Sequence, residues 1–150
     1  MLKYIAAAML LVTFVRMAHA DEFIAVKDQR SVPETFDRLQ KIVKDDGFFI
    51  VGHVPHSEAA KDAGLTLQPA ELMIFGKPQS GTPLMVCDQR VGIDLPLRAL
   101  PWEDGNKQVW LAMVDPHVLE QRYSLGADCD QVIDRMTTAV RTFLTEATAS

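Results

Sequence analysis

The chain has 150 residues, of which 48% are hydrophobic and 23% are charged, with a formal net charge of -5 and two cysteines. This length suits a single domain, and the composition excludes a disordered or fibrous protein. The acidic balance also argues against a nucleic-acid-binding protein that works through contacts with phosphate charge. We therefore expect a small acidic globular domain with no nucleic-acid partner.

The first twenty residues have the organisation of a secretory signal peptide. Lys3 precedes an apolar run over residues 4–15, Arg16 follows it, and Ala18-His19-Ala20 places small residues two apart. A basic start, an apolar middle and an A-x-A site are typical of such signals. The apolar run is shorter than the roughly 20 residues that a membrane-spanning helix needs. We therefore predict a signal peptide over residues 1–20, cleavage after Ala20, and a periplasmic or secreted protein without a membrane span; an uncleaved anchor is the alternative.

The remaining chain alternates short strands and helices. Ser31 and Glu34 have the spacing of a capping box, and Gly47 suits a C-terminal cap, so a helix lies between them. Pro96 and Pro101 favour an edge or bulged position for the extended run that contains them. The predicted strands cover residues 23–27, 48–54, 72–75, 93–103 and 108–114, and the other predicted helices cover residues 58–63, 83–88, 116–123 and 129–147.

The order of these elements predicts one α+β domain over residues 21–150, with its helices packed on one mostly antiparallel β-sheet of about five strands. Residues 104–106 form a turn, so the last two strands are a hairpin. The last helix carries a continuous apolar stripe on which Cys129 also lies, and this cysteine should therefore face the core.

Cys87 and Cys129 are the two cysteines, and both belong to the predicted exported domain. In an exported protein such a pair is read first as a disulfide, here closing a loop of about 42 residues. Two separate buried thiols are the simplest alternative, because free cysteine is among the most buried residue types. A redox or metal role is the third, although no C-x-x-C motif supports it.

His53 and His56 are the histidines closest to a metal-ligand spacing, with Pro55 between them. On a flat strand, residues three apart lie on opposite faces, so these two share a metal only if the strand bends there. Surface positions at a strand end explain them more simply. The scattered methionines fit core packing better than a copper site. We therefore expect no metal and no cofactor.

Asp94 is the most informative charged residue, because it lies within the apolar run Ile93-Asp94-Leu95-Pro96-Leu97-Arg98. Along a strand, Asp94 and Arg98 would lie on one face, since four is an even spacing. The pair either orients a polar ligand in a cleft or serves only the structure, and a structural role is the simpler interpretation.

The sequence contains no recognised catalytic motif. It has no G-x-S-x-G and no H-E-x-x-H, and neither cysteine has an obvious histidine partner. The segment over residues 76–82 joins a strand to a helix, as a phosphate loop does, but it lacks the G-K-[ST] ending. An ordered structural turn is the better interpretation of that segment, and whether the protein is an enzyme stays uncertain.

A family resemblance emerges from several segments taken in order. These are Gly64-x-x-Leu67-x-Pro69-x-Glu71-Leu72-Met73-Ile74-Phe75-Gly76-x-Pro78, Gly81-Thr82-Pro83-Leu84-Met85, Ile93-Asp94-Leu95-Pro96-Leu97-Arg98, Val109-Trp110-Leu111, and Asp115-Pro116 with Arg122-Tyr123. Over about residues 32–126 the chain thus resembles the "domain of unknown function 302" family.

The resemblance implies a compact α+β domain of small bacterial proteins that is expected to form homodimers, and it brings no established activity or catalytic residue. If the shared motifs mark a pocket, they imply that the ligand-binding residues are His56, Lys77, Thr82, Asp94 and Arg98. The chain departs from the family where Pro55 replaces the usual aspartate before His56 and where Lys77 replaces the usual asparagine. A site built on those two side chains would differ here.

Two functions remain open from the sequence. The favoured one is an exported periplasmic module that binds an unknown small ligand or a protein partner. The alternative is a metal-handling protein or an enzyme that uses His53, His56, Cys87 or the Asp94/Arg98 pair.

Overall fold

The structure is a computed structural model that describes residues 22–150, and the predicted signal peptide lies outside these residues. The helices and strands are, in chain order, β1 (Phe23–Asp28), α1 (Val32–Asp45), β2 (Phe49–Pro55), α2 (His56–Asp62), β3 (Glu71–Gly76), α3 (Pro78–Cys87), β4 (Leu97–Glu103), β5 (Val109–Val114), α4 (His117–Tyr123) and α5 (Asp130–Thr148). Two short 3₁₀ turns, Gln89–Ile93 and Ala127–Cys129, precede β4 and α5. The predicted α+β fold is confirmed. Within the described residues, no helix combines the length and the apolar character needed to cross a bilayer.

The five strands form one sheet in the order β1-β5-β4-β3-β2, and every neighbouring pair is antiparallel. The predicted hairpin is β4 with β5, with Trp102 opposite Trp110. The predicted edge or bulged position of β4 was wrong, because this strand lies between β5 and β3 and pairs with β5 without a register shift. Pro101 is tolerated there because the ladder on the β3 side is interrupted at this residue, between the pair Met73↔Ala99 and the bridge Ala70↔Trp102.

Helices α1 and α5 cover one face of the sheet and enclose the main core. Helix α1 contacts β2, β3 and β4, whereas α5 contacts β1 and β5. Apolar residues at helical spacing drive this packing, as the sequence predicted for both helices. The fully buried members include Leu39, Val43, Met73, Phe75 and Leu111.

The amino-terminal end of α1 is held by the predicted cap. The Glu34 carboxylate accepts a hydrogen bond from the Ser31 backbone N–H at 2.9 Å. Gly47, beyond the end of the helix, adopts a φ of +79°, a conformation that glycine reaches at little cost.

Helix α3 begins five residues earlier than the sequence predicted. The carbonyl oxygen of Lys77 already accepts the N–H groups of Ser80 and Gly81, at 2.9 and 3.1 Å, so Pro78 is the first helical residue. Pro83, the predicted first residue of this helix, and Thr82 before it are therefore inside the helix. Pro83 is accommodated there at the cost of one intrahelical hydrogen bond, since it has no N–H to donate.

The run predicted as one extended segment over residues 93–103 is divided. Ile93 ends a 3₁₀ turn, and the chain passes through a cis Leu95–Pro96 peptide bond before β4 begins at Leu97. Asp94 thus precedes the strand instead of lying within it. The prediction that strand geometry pairs Asp94 with Arg98 was wrong, although the two side chains do meet.

Cys87 and Cys129 form a disulfide, the first of the three alternatives that the sequence left open. Their Cα atoms are 6.5 Å apart. The bond ties the last residue of α3 to the turn that leads into α5, next to a second small core around Leu84, Val91 and Ile133.

Candidate functional site

A cleft of about 550 Å³ lies over the sheet face opposite to α1 and α5. Its floor comes from residues that alternate along the strands with core residues and therefore point away from the core. Its apolar lining residues include Leu72, Leu100, Trp102, Ala112 and Leu119. The cleft is thus an apolar surface within the usual size range of about 300–1,000 Å³ for small-molecule sites.

A cluster of charged residues forms one end of the cleft, with Asp94 at its centre. The Asp94 carboxylate accepts a hydrogen bond from Arg122 Nη1 at 2.7 Å and another from the Tyr123 hydroxyl at 2.6 Å. Arg98 Nη2 lies 3.7 Å from the same carboxylate. The turn before β4 supplies the aspartate, the start of β4 supplies Arg98, and the end of α4 supplies the other two residues.

The environment of Asp94 favours its charged form. Burial raises the pKa of this carboxyl group, but the hydrogen bonds from Tyr123 and Arg122 and the charges of Arg122 and Arg98 outweigh burial, so the pKa lies below its usual value. The hydrogen bond to Asp94 likewise raises the pKa of Tyr123 and the pKa of Arg122. At neutral pH the cluster therefore holds two guanidinium groups around one carboxylate.

Both tryptophans of the chain lie on this sheet face. Trp102 lines the cleft, and its ring stacks against Trp110 with the ring centroids 6.2 Å apart. Trp110 is fixed in turn, because its indole N–H donates to Asp104 at 2.9 Å and the Lys27 ammonium lies 5.2 Å above its ring. The pair forms a rigid aromatic wall, and its fluorescence reports on the cleft.

Lys77 and Thr82 do not lie in this cleft. They line a separate apolar groove of about 270 Å³ between the start of α3 and β2, where Phe49 and Val51 are exposed. Lys77 is already used by the fold, because its ammonium group donates to the carbonyl oxygen of Asp46 at 2.8 Å, at the end of α1. Of the residues implied by the resemblance, Asp94 and Arg98 therefore lie together in the cleft, whereas Lys77 and Thr82 line the separate groove.

His53 and His56 line neither the cleft nor the groove. His56 is exposed at the first position of α2. His53 Nε2 is 2.8 Å from a carboxylate oxygen of Glu71, and its ring packs 4.3 Å from the ring of Phe36. Within residues 22–150 no group of three or more His, Cys, Asp or Glu side chains is arranged to hold a metal ion. With Cys87 in a disulfide, these residues offer no arrangement that favours the metal-handling alternative.

Arg122, Tyr123 and the cleft floor were missed by sequence reasoning. Arg122 and Tyr123 lie 28 and 29 residues after Asp94, so no local periodicity connects them. The sequence did contain a signal for Arg122 and Tyr123, because they are the last of the segments on which the family resemblance is based. For Leu100 and Ala112 the signal was that successive residues of β4 and β5 point to opposite faces of the sheet.

Comparison with known proteins identifies proteins with similar sequences. A protein of Brucella suis biovar 1 (strain 1330), named "Fluoride-specific ion channel FluC 1", is 46% identical over 119 residues, which cover 79% of this chain and 47% of that protein. A protein of the same name from Brucella abortus biovar 1 (strain 9-941) is also 46% identical over 119 residues, covering 44% of its length. The chain therefore spans less than half the length of these curated relatives.

One solved structure has the same fold. It is the "Crystal structure of uncharacterized conserved protein DUF302 from Bacillus stearothermophilus", with a TM-score of 0.78, 19% sequence identity, and coverage of 85% of this chain and 99% of that one. The family described as "Domain of unknown function DUF302" matches residues 24–143. Since this match covers most of the chain, the protein belongs to the DUF302 family.

Proposed function

We propose that this protein is an exported periplasmic binding module that holds a small molecule in the sheet-face cleft. The main support for this proposal is that an apolar cleft of about 550 Å³ has a charged cluster of Asp94, Arg98 and Arg122 at one end. Binding sites for small molecules commonly combine mostly apolar walls with a few convergent polar groups.

The surroundings of the cleft also support a binding role. Phe23 and Val114, which line it, are 52% and 40% exposed. Apolar side chains left open to water beside a concave surface gain free energy when a ligand covers them, at about 25 cal/mol per Å² of apolar area. The second groove, at Phe49 and Val51, is about half the volume and has no comparable charged cluster.

A neutral apolar dye, N-phenyl-1-naphthylamine, tests the proposal in the purified protein. Ala112→Phe fills the cleft floor, whereas Val51→Phe, a matched strand substitution, alters only the other groove. We expect saturable dye binding that quenches tryptophan fluorescence, loss of binding in Ala112→Phe, and unchanged binding in Val51→Phe. Absence of saturable binding, or loss in Val51→Phe alone, would overturn the proposal.

Recognition of fluoride at the same arginines is a second candidate, favoured by the name of the Brucella relatives and their 46% identity. A fluoride titration followed by amide chemical shifts tests it, with chloride as the control. Saturable shifts near Arg98 and Arg122 with fluoride alone would support this candidate. Equal shifts with both salts would contradict it.

A further inference from the structure

The proposed ligand site has a charged end and an apolar floor, and this difference limits the kinds of ligand that fit. At one end, Arg98 and Arg122 both approach Asp94, so two cationic side chains face one carboxylate within contact distance. Along the floor, Leu72, Leu100 and Ala112 offer no side-chain hydrogen-bonding group. A molecule that fills the cleft must therefore bring one polar end and one apolar body.

The two guanidinium groups keep most of their donors available. Arg98 donates one long hydrogen bond, 3.4 Å, to the backbone carbonyl oxygen of Asp94, and Arg122 uses Nη1 for the Asp94 carboxylate. Each guanidinium group has five N–H donors, so within residues 22–150 most of these are unpartnered. Both side chains line the cleft and are nearly half exposed, so an anion in the cleft can reach them.

The acidic residues of the lining limit the charge that the ligand can carry. Asp94 is one of them, and Glu22 is the other. A group with a single negative charge can accept hydrogen bonds from the free N–H groups of Arg98 and Arg122 while meeting the least repulsion from these carboxylates. A second negative charge on the ligand would lie close to one of them and be repelled.

We propose, on the basis of the proposed binding function, that the ligand is an amphipathic monoanion. Its carboxylate or equivalent head is bound by Arg98 and Arg122, and its apolar body lies on Leu72, Leu100 and Trp102. Asp94 is a positioning residue, since it holds Arg122 and Arg98 at the same end of the cleft. Planar guanidinium groups suit this role because they bind carboxylates through paired hydrogen bonds.

Three ligands with the same ten-carbon chain test the inference: decanoate and decyltrimethylammonium, each below its micelle concentration, and 1-decanol below its solubility limit. Calorimetric titration should give at least tenfold tighter binding of decanoate than of decanol, with the cation weakest. Added NaCl should weaken decanoate binding and leave decanol binding unchanged, because salt screens the charges at the exposed arginines.

Charge-removing variants identify the head-group site. Arg98→Gln should lower decanoate affinity about tenfold and leave decanol affinity unchanged, and Arg122→Gln should do the same. Arg90→Gln is the matched control, because Arg90 pairs with Asp88 outside the cleft. Unfolding curves of each variant exclude a folding defect as the cause.

The outcomes separate the inference from the function on which it rests. Dye binding that Ala112→Phe abolishes, together with equal affinity for decanoate and decanol, would overturn the inference and retain the binding function. Decanoate binding that neither Arg98→Gln nor Arg122→Gln weakens would also overturn it. Failure of the dye and of all three ten-carbon ligands to bind would overturn both.

Discussion

Replacement of Tyr123 by phenylalanine removes one hydroxyl group and tests the charged cluster directly. The Tyr123 hydroxyl donates to Asp94 at 2.6 Å, and the Asp94 side chain is only 14% exposed. Hydrogen bonds to charged groups contribute about 1.5–3 kcal/mol. Because Arg122 remains as a partner and is half exposed, we expect the lower end, a loss of about 1.5 kcal/mol in the free energy of unfolding at pH 7.

The pH dependence of this loss follows from the lowered pKa of Asp94. A carboxyl group with a lower pKa in the folded state contributes stability above its unfolded pKa, about 3.9, and loses it as the pH falls through the folded pKa. In Tyr123→Phe the folded pKa moves up toward the unfolded one. The difference between the wild-type protein and the variant should therefore shrink as the pH falls from 7 through the folded-state pKa of Asp94.

Urea unfolding followed by circular dichroism measures both effects. A double-mutant cycle with Asp94→Ala isolates the pairwise contribution, for which we expect a coupling energy of about 1 kcal/mol. A loss below about 0.5 kcal/mol at pH 7 would refute the reasoning, as would strictly additive effects in the cycle. A loss that stays constant from pH 7 down to a pH at which Asp94 is protonated in the folded protein would show that the charge of Asp94 is not involved.

Three further changes test other parts of the fold by urea unfolding. Asp28 is 2% exposed, forms an ion pair with Arg30 at 2.7 Å and accepts a hydrogen bond from Thr35 at 2.8 Å, so Asp28→Asn, which leaves Arg30 without its ionic partner, should cost about 3 kcal/mol, and a cost below about 1 kcal/mol would contradict this. The Thr137 hydroxyl is buried without a hydrogen-bond partner among residues 22–150, so Thr137→Val should stabilise the protein by up to about 1 kcal/mol, whereas destabilisation would argue against an unpaired hydroxyl. The Cys87–Cys129 bond spans 42 residues, so a double serine variant should lose about 4 kcal/mol by chain entropy, and an unchanged midpoint would contradict the link.

Local sequence patterns were sufficient to predict the elements that are determined by residues within one segment of the chain. The capping residues and apolar stripe of α1, the stripe of α5, and the turn that joins β4 to β5 each lie within one segment of chain. Their prediction needed only helical or strand periodicity and turn chemistry. The α+β class followed from the order of these elements.

The predictions that were wrong depended on distant contacts. The edge position of β4 was inferred from Pro96 and Pro101, but strand order is a property of the whole sheet. The start of α3 was predicted at Pro83, although Pro78 is also a proline and is equally suited to the first position of a helix. Propensity alone did not separate these two starts.

Two glycines of the family motifs have a packing role that only the structure reveals. A Cβ atom on Gly76 would lie 3.0 Å from Cβ of Pro96, and one on Gly81 would lie 3.2 Å from the Leu95 side chain. The glycines thus let the segment around the cis peptide bond pack against α3 and the end of β3. Other motif residues, namely Asp94, Arg98, Arg122 and Tyr123, build the charged end of the cleft.

The central claim, that the ligand lies in the sheet-face cleft, is tested most directly by amide chemical shifts during a decanoate titration. We expect saturable shifts confined to the cleft, with the largest at Arg98, Leu100 and Ala112, and no such shifts at Phe49 or Val51. Shifts centred on the groove at Phe49 and Val51 would contradict the account, and so would a titration in which no residue shows a saturable shift.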